Sequence, residues 1–220
     1  MKLYSYFRSS AAYRVRIALN LKGLPYDTEP VHLLKDGGQQ NSIHYRAISP
    51  LGTVPCLETN DGGHLAQSLA IIEYLEEVYP EPPLLPARSA DRARVRSIAQ
   101  IIACDIHPLN NLRVLNFLTK QFDISADDKT TWYRHWVYQG LLAIEKMLVD
   151  DPRTGRFCHG DTPGLADCCL VPQVFNAQRF NCSLEQMPTI QQIYQACEEL
   201  PAFQAASPIN QPDAEYTLQQ

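Results

Sequence analysis

The 220-residue chain has no cysteine pair at C-x-x-C spacing and no histidines at metal-ligand spacing, which removes zinc modules and dithiol redox centres from consideration. Its seven cysteines, Cys56, Cys104, Cys158, Cys168, Cys169, Cys182 and Cys197, are odd in number and scattered, so a reduced, cytoplasmic protein with buried thiols is the simplest account. No apolar run approaches the ~18 residues that span a bilayer, since even Leu69 to Leu75 is interrupted by Glu73. The opening MKLYSYFRSS reaches Arg8 before an apolar core of signal-peptide length builds up, and the mature chain is expected to begin at or near Met1. Basic residues are in the minority, 19 Lys and Arg against 24 Asp and Glu, for a net charge of −5. That balance excludes sequence-independent binding to a nucleic-acid backbone or to an anionic membrane surface. There is no internal repeat and no low-complexity tract.

What remains is 45% apolar and 20% charged, the balance of a globular protein with a substantial core, at a length between one and two domains. KLYSYF at 2–7 reads as a strand, and residues 11–22 carry apolar side chains near helical spacing, with Gly23 as the stop. Further strands are predicted at 26–33, 54–59 and 64–66, the last two separated by the turn Asn60-Asp61-Gly62-Gly63, and a helix at 67–79. The order β-α-β, helical connection, β-β-α describes an α/β domain over 1–80. Pro80, Pro82, Pro83 and Pro86 then mark a linker at 81–87. Beyond it only helical periodicity appears, at 90–121, 128–150, 164–180 and 187–199, so residues 88–220 are expected to form an all-helical domain whose tail, from Pro201, wraps irregularly over the surface.

Three local features bear on chemistry. Ser9 and Ser10 stand where the first strand gives way to the first helix, whose free N–H groups and partial positive charge suit an anion; taken alone, either serine is more often simply a cap. Val54-Pro55 enters a strand, where a cis proline would leave the preceding backbone groups open to an extended peptide, although a trans bond is the commoner outcome. Gln67-Ser68 begins the next helix and offers donors for a carboxylate, with capping again the plain alternative. Together they describe a site for a small extended peptide: a hydroxyl for one anion, an open backbone edge and a carboxylate clamp.

The segments SSAAYRVRIALNLKG (9–23), KDGGQQ (35–40), SPLGTVPCL (49–57), QSLAIIEYLEE (67–77), CDIHPLNNLRVL (104–115), LADCCLVPQVFNAQRF (165–180) and QPDA (211–214) resemble the zeta class of glutathione transferases over nearly the whole chain. The resemblance implies a thioredoxin-like N-terminal domain, a C-terminal helical bundle, a homodimer, and glutathione as cofactor. It makes Ser9 the hydroxyl that activates the glutathione thiol, with Ser10 and Arg14 at the same helix start as further catalytic candidates. Val54 and the cis Pro55 would pair with the cysteinyl moiety, Gln67 and Ser68 would hold the γ-glutamyl group, and Gln40 the glycyl end. His107, Asn111 and Arg113 would contribute from the helical side, and Arg179 falls at the substrate-carboxylate position. The implied reaction is cis-trans isomerisation of maleylacetoacetate to fumarylacetoacetate, a small dicarboxylate; maleylpyruvate, or conjugation and dehalogenation of small electrophilic acids, are the alternatives.

Two departures stand out. Ala11 replaces the cysteine usual two positions after the first serine, with Tyr13 where Trp is usual, and Pro163-Gly164-Leu165-Ala166-Asp167 has Gly where the family has Thr. The second change costs a few tenths of a kcal/mol at a helix cap. A dianionic substrate calls for cations, and Arg8, Arg14, Arg16, Arg113 and Arg179 are the candidates, of which Arg16 faces away from Arg14 and reads as structural. His107, followed by Pro108, sits either at a helix kink or beside the cofactor.

Overall fold

The computed structural model describes residues 1–215. They form two compact units, Met1–Leu84 together with the described part of Glu198–Gln220, and Leu85–Cys197.

In the first unit β1 (Lys2–Ser5), β2 (Asp27–Pro30), β3 (Cys56–Glu58) and β4 (His64–Ala66) make one sheet in the order β2-β1-β3-β4. β1 and β2 are parallel and joined by α1 (Ser10–Leu21); β3 lies antiparallel between β1 and β4. This is a thioredoxin-like arrangement, and the helical connection expected between β2 and β3 is two short 3-10 turns followed by α2 (Ile43–Ile48). α1 forms because Ala12, Val15, Ile17, Ala18 and Leu19 give it faces to bury, and it ends at Gly23, whose φ of 64° a side chain would disfavour. α3 (Ser68–Val78) buries Ile71, Ile72 and Leu75 in the same core as Leu3 and Leu57.

The second unit is helical throughout: α4 (Ser89–Gln100), α5 (His107–Asn110), α6 (Leu112–Phe122), α7 (Ala126–Val149), α8 (Leu165–Arg179) and α9 (Pro188–Glu198). Its core is built from Ile98 and Ile102, Val137, Leu141, Ile144 and Leu148 of α7, and Cys168, Cys169, Val171 and Val174 of α8. α8 starts at Gly164, which has no side chain to cap it; instead Asp167 accepts from the Gly164 N–H and the Cys158 N–H, each at 2.9 Å. Burial pushes that carboxyl up, while the bonds from Cys158 and Gly164 pull it down.

Two elements differ from the sequence reading. The stretch 90–121 is not one run: Ile101–Ile106 widens into a π turn, with the His107 N–H bonded to Ile102 O, and the chain extends at Asn111 before α6. Pro108 lacks the N–H that an α-helix would use and its ring crowds the preceding turn, and the wider turn relieves both. Gly140 of α7 makes room, since a Cβ there would meet Ile106 Cγ1 at 2.2 Å. The end of the chain also departs from the expected 88–220 domain: residues 198–215 pack with the first unit, and Pro201–Ala206 is a helix, α10, rather than irregular. Proline at the first helical position is pre-organised for that start.

Candidate active site

β-register places three loops at one end of the sheet. Tyr4 pairs with Cys56 and Cys56 with Ala66, so the residues just past this row on three adjacent strands are the β1–α1 turn, Val54-Pro55 and Gln67-Ser68. Three segments far apart in sequence therefore meet because of strand direction alone.

Ser9 is the N-cap of α1, and its Oγ accepts from the Ala12 N–H at 3.2 Å. The capping and catalytic readings are compatible, because a hydroxyl that accepts through a lone pair keeps its proton to donate. Ser10, in the first turn, is buried. Arg14, at 2% exposure, donates from Nη1 to Ser68 Oγ at 3.2 Å and so ties the start of α1 to the start of α3. Arg16 is structural as expected: fully buried, it donates to Ser5 Oγ, Phe7 O and Ala206 O. Burial lowers it to about 10.

The Val54-Pro55 bond is cis. Val54 is buried, and among the described residues no hydrogen bond reaches its N–H or C=O. Gln67 occupies the cap position of α3 without a side-chain cap bond, at φ 71° and ψ 114°, a conformation that costs a non-glycine residue about 1–3 kcal/mol. Its side chain is thereby released from the helix end. Gln40 donates from Nε2 to Leu33 O at 3.3 Å while its buried Oε1 has no partner. A free backbone edge, an unpaired amide oxygen, a serine hydroxyl and a helix start without a side-chain cap are what an extended acidic peptide such as glutathione needs, so these residues fit that cofactor.

Arg8 is half-buried, with its guanidinium 5.0 Å from the centre of the Phe7 ring. Nearby, Glu215 meets Lys35 Nζ at 2.5 Å and His32 Nε2 at 3.3 Å, and the bond from Lys35 holds its carboxyl below the usual range. His32 is not among the sequence candidates; its Nδ1 accepts from the N–H groups of Leu34 and Lys35, which puts the ring proton on Nε2, on the side of Glu215.

In the second unit His107 opens α5 directly after the π turn. Asn111 is occupied structurally, its Oδ1 accepting from Val114 N–H and its Nδ2 donating to Pro108 O. Arg113 is exposed in the first turn of α6. Arg179, exposed at the end of α8, lies 5.0 Å over the Phe180 ring, and Phe180 stacks on Tyr133 at 3.8 Å. The Tyr133 carbonyl accepts from Asn110 at 3.5 Å, which links Arg179 through two rings to α5. The sequence reading missed these rings and the backbone of Gln67; a positive φ at a non-glycine residue leaves no mark in the sequence.

The fold and the peptide-binding edge define a glutathione transferase, and residues 8–78 match the family model for the glutathione S-transferase N-terminal domain. A probable maleylacetoacetate isomerase from Vibrio cholerae is 48% identical, over 96% of this chain and 97% of its own. The holo structure of a bacterial zeta-class maleylpyruvate isomerase is 47% identical with a TM-score of 0.94, covering 98% of this chain and all of that one. A maleylacetoacetate isomerase from Methylobacterium extorquens AM1, solved with bound malonate and glutathione, is 41% identical with the same TM-score and the same coverage. The chain belongs to the zeta-class glutathione transferases, in the family of the maleylacetoacetate and maleylpyruvate isomerases.

Proposed function

We propose that this protein is a glutathione-dependent cis-trans isomerase that converts maleylacetoacetate to fumarylacetoacetate. The observation that carries the reading is the sheet end where Ser9, the open Val54 backbone and Gln67-Ser68 converge, on a chain alike over its full length to isomerases of this chemistry.

When bound, glutathione supplies a thiolate that adds reversibly to the conjugated cis alkene, so that rotation and elimination give the trans isomer with the thiol regenerated. Val54 pairs its backbone with the peptide, Gln67 and Ser68 hold the γ-glutamyl carboxylate, and Gln40 the glycyl end. Ser9 donates to the sulfur. Lowering a thiol of pKa ~8.5 by about two units, so that it is mostly thiolate at neutral pH, takes about 2.7 kcal/mol. A helix terminus contributes about 0.3–1 kcal/mol and a hydrogen bond to a charged sulfur about 1.5–3 kcal/mol, so Ser9 carries the larger share. Arg14 steadies Ser68, and Ser10 lines the same turn. Arg8, Arg113 and Arg179 bind the substrate carboxylates and the charge that develops on the carbonyl oxygen, and His107 and Asn111 border the cofactor.

The same reading takes the enzyme to be a cytoplasmic homodimer, the seven free thiols favouring the location and light scattering testing the assembly. The activity test mixes purified protein with maleylacetoacetate or maleylpyruvate and catalytic glutathione, follows the double-bond chromophore, and titrates free thiol before and after. Fast conversion of maleylacetoacetate with thiol unchanged is expected. Faster turnover of maleylpyruvate reassigns the substrate, and loss of thiol mole for mole makes the protein a conjugating transferase instead.

A further inference from the structure

The turn that carries Arg8, Ser9 and Ser10 is held from two sides. The Phe7 N–H donates to Asp213 Oδ2 at 3.0 Å, across 206 residues of sequence. The Phe7 C=O accepts from Arg16 Nη2 at 3.1 Å, and the Ser9 N–H closes the turn on Tyr6 O at 2.9 Å. Arg16 also reaches Ala206 O at 2.9 Å, at the end of α10, so one buried guanidinium joins the turn to the segment that delivers Asp213. That segment is itself fixed: Gln211 donates from Nε2 to Ala205 O and Ser207 O, both at 2.9 Å, and Glu215 beyond it pairs with Lys35. A strap that served packing alone would need no carboxylate aimed at a backbone N–H two residues before Ser9.

We propose that Asp213 is a positioning residue for the Ser9 hydroxyl, anchoring the β1–α1 turn so that the donor meets the cofactor's sulfur. The proposal rests on the part given to Ser9 above. A hydrogen bond to a thiolate depends on placement within about half an ångström, and the Phe7 backbone, two residues before Ser9, is held by the Asp213 carboxylate and the Arg16 guanidinium. Among the charged groups of this region, Arg16 on α1 acts on Asp213 itself, while Lys35 and His32 after β2 and Arg8 on the turn act on Glu215, two residues further along the strap.

Charge and position predict opposite signs. The negative charge of Asp213 by itself disfavours a nearby thiolate, so mere removal of that charge lowers the thiol pKa. Loss of the anchor raises it. The test titrates the thiolate absorbance of glutathione bound to the full chain with no substrate present. It also measures the affinity for S-methylglutathione, which has no thiol to titrate, and amide exchange from Phe7 to Ser9 in the free protein. D213A is expected to raise the bound-thiol pKa by about half a unit or more. The same variant should speed exchange at these amides about tenfold, with S-methylglutathione affinity within about threefold of the wild type. D213N keeps an acceptor oxygen and should not raise the pKa. D213E, which keeps the charge but displaces the acceptor by a methylene, should raise it, and decides the matter if D213A does not fold. A lowered pKa in both D213A and D213N, or unchanged pKa and exchange in D213A or D213E, overturns the proposal. A wild type that forms the thiolate yet isomerises neither substrate would sink the isomerase reading alone, since none of these readouts uses turnover.

Discussion

Lys22 Nζ lies 2.8 Å from Glu76 Oε2 with its side chain wholly buried, and the pair holds the chain as it leaves α3. Lys22 also donates to Tyr79 O and Pro82 O, and both oxygens of Glu76 accept from the Leu84 N–H. Every polar atom of the pair therefore has work in fixing residues 79–84. Removing one partner leaves a buried charge without its complement, which costs about 3–5 kcal/mol. Lys22→Met and Glu76→Leu should each lower the denaturation midpoint steeply, whereas the two combined should recover part of the loss. A double-mutant cycle in urea checks this, and additive losses would show that the two side chains act independently.

Ser9→Ala removes a cap and the thiol's donor together. The cap accounts for about 0.5–2 kcal/mol of stability. The bound-glutathione thiol should rise by about one unit or more, read as thiolate absorbance against pH. A titration that superimposes on the wild type would relieve Ser9 of its role, whatever happens to the melting temperature.

Arg179 is exposed, lies over the ring of Phe180, and offers a planar fork to a carboxylate. For Arg179→Ala the KM of the dianionic substrate is expected to rise about tenfold, with kcat reduced less. Arg179→Lys should restore part of the affinity with a steeper dependence on salt, because a point charge is screened more readily than a bidentate pair. Steady-state kinetics at two ionic strengths separate these outcomes, and an unchanged KM in the alanine variant removes Arg179 from the substrate.

Stability should fall on the acid side through Asp151. Arg153 binds its two oxygens at 2.7 and 2.9 Å and Arg94 Nε reaches Oδ2 at 2.8 Å, which holds the carboxyl far below the usual range. A depressed folded pKa means that the native state binds fewer protons than the unfolded chain. The contribution is therefore complete above the unfolded value of about 4 and is lost as pH falls below it. Melting temperature against pH should drop less steeply below that point in Asp151→Asn than in the wild type. Parallel curves would place the acid sensitivity elsewhere.

Much of the first unit was legible because its signals are local. HLA at 64–66 is β4 as read, α1 starts and stops within two residues of its serine and glycine signals, and the proline cluster falls where the two units part. The one long helical stretch misread, 90–121, failed at Pro108 and Asn111, where periodicity continues although backbone hydrogen bonding cannot.

By itself the sequence determined where Ser9, Pro55 and Gln67 stand relative to the ends of strands and helices, because caps, turns and apolar spacing act over a few residues. Only the tertiary structure decided that these three ends face the same way, since strand direction and register belong to the sheet as a whole. It alone returned Asp213 to Phe7, gave Gln67 its positive φ and put Phe180 between Arg179 and Tyr133. Contacts between residues far apart in the chain are selected by packing, and packing has no period that can be read along a sequence.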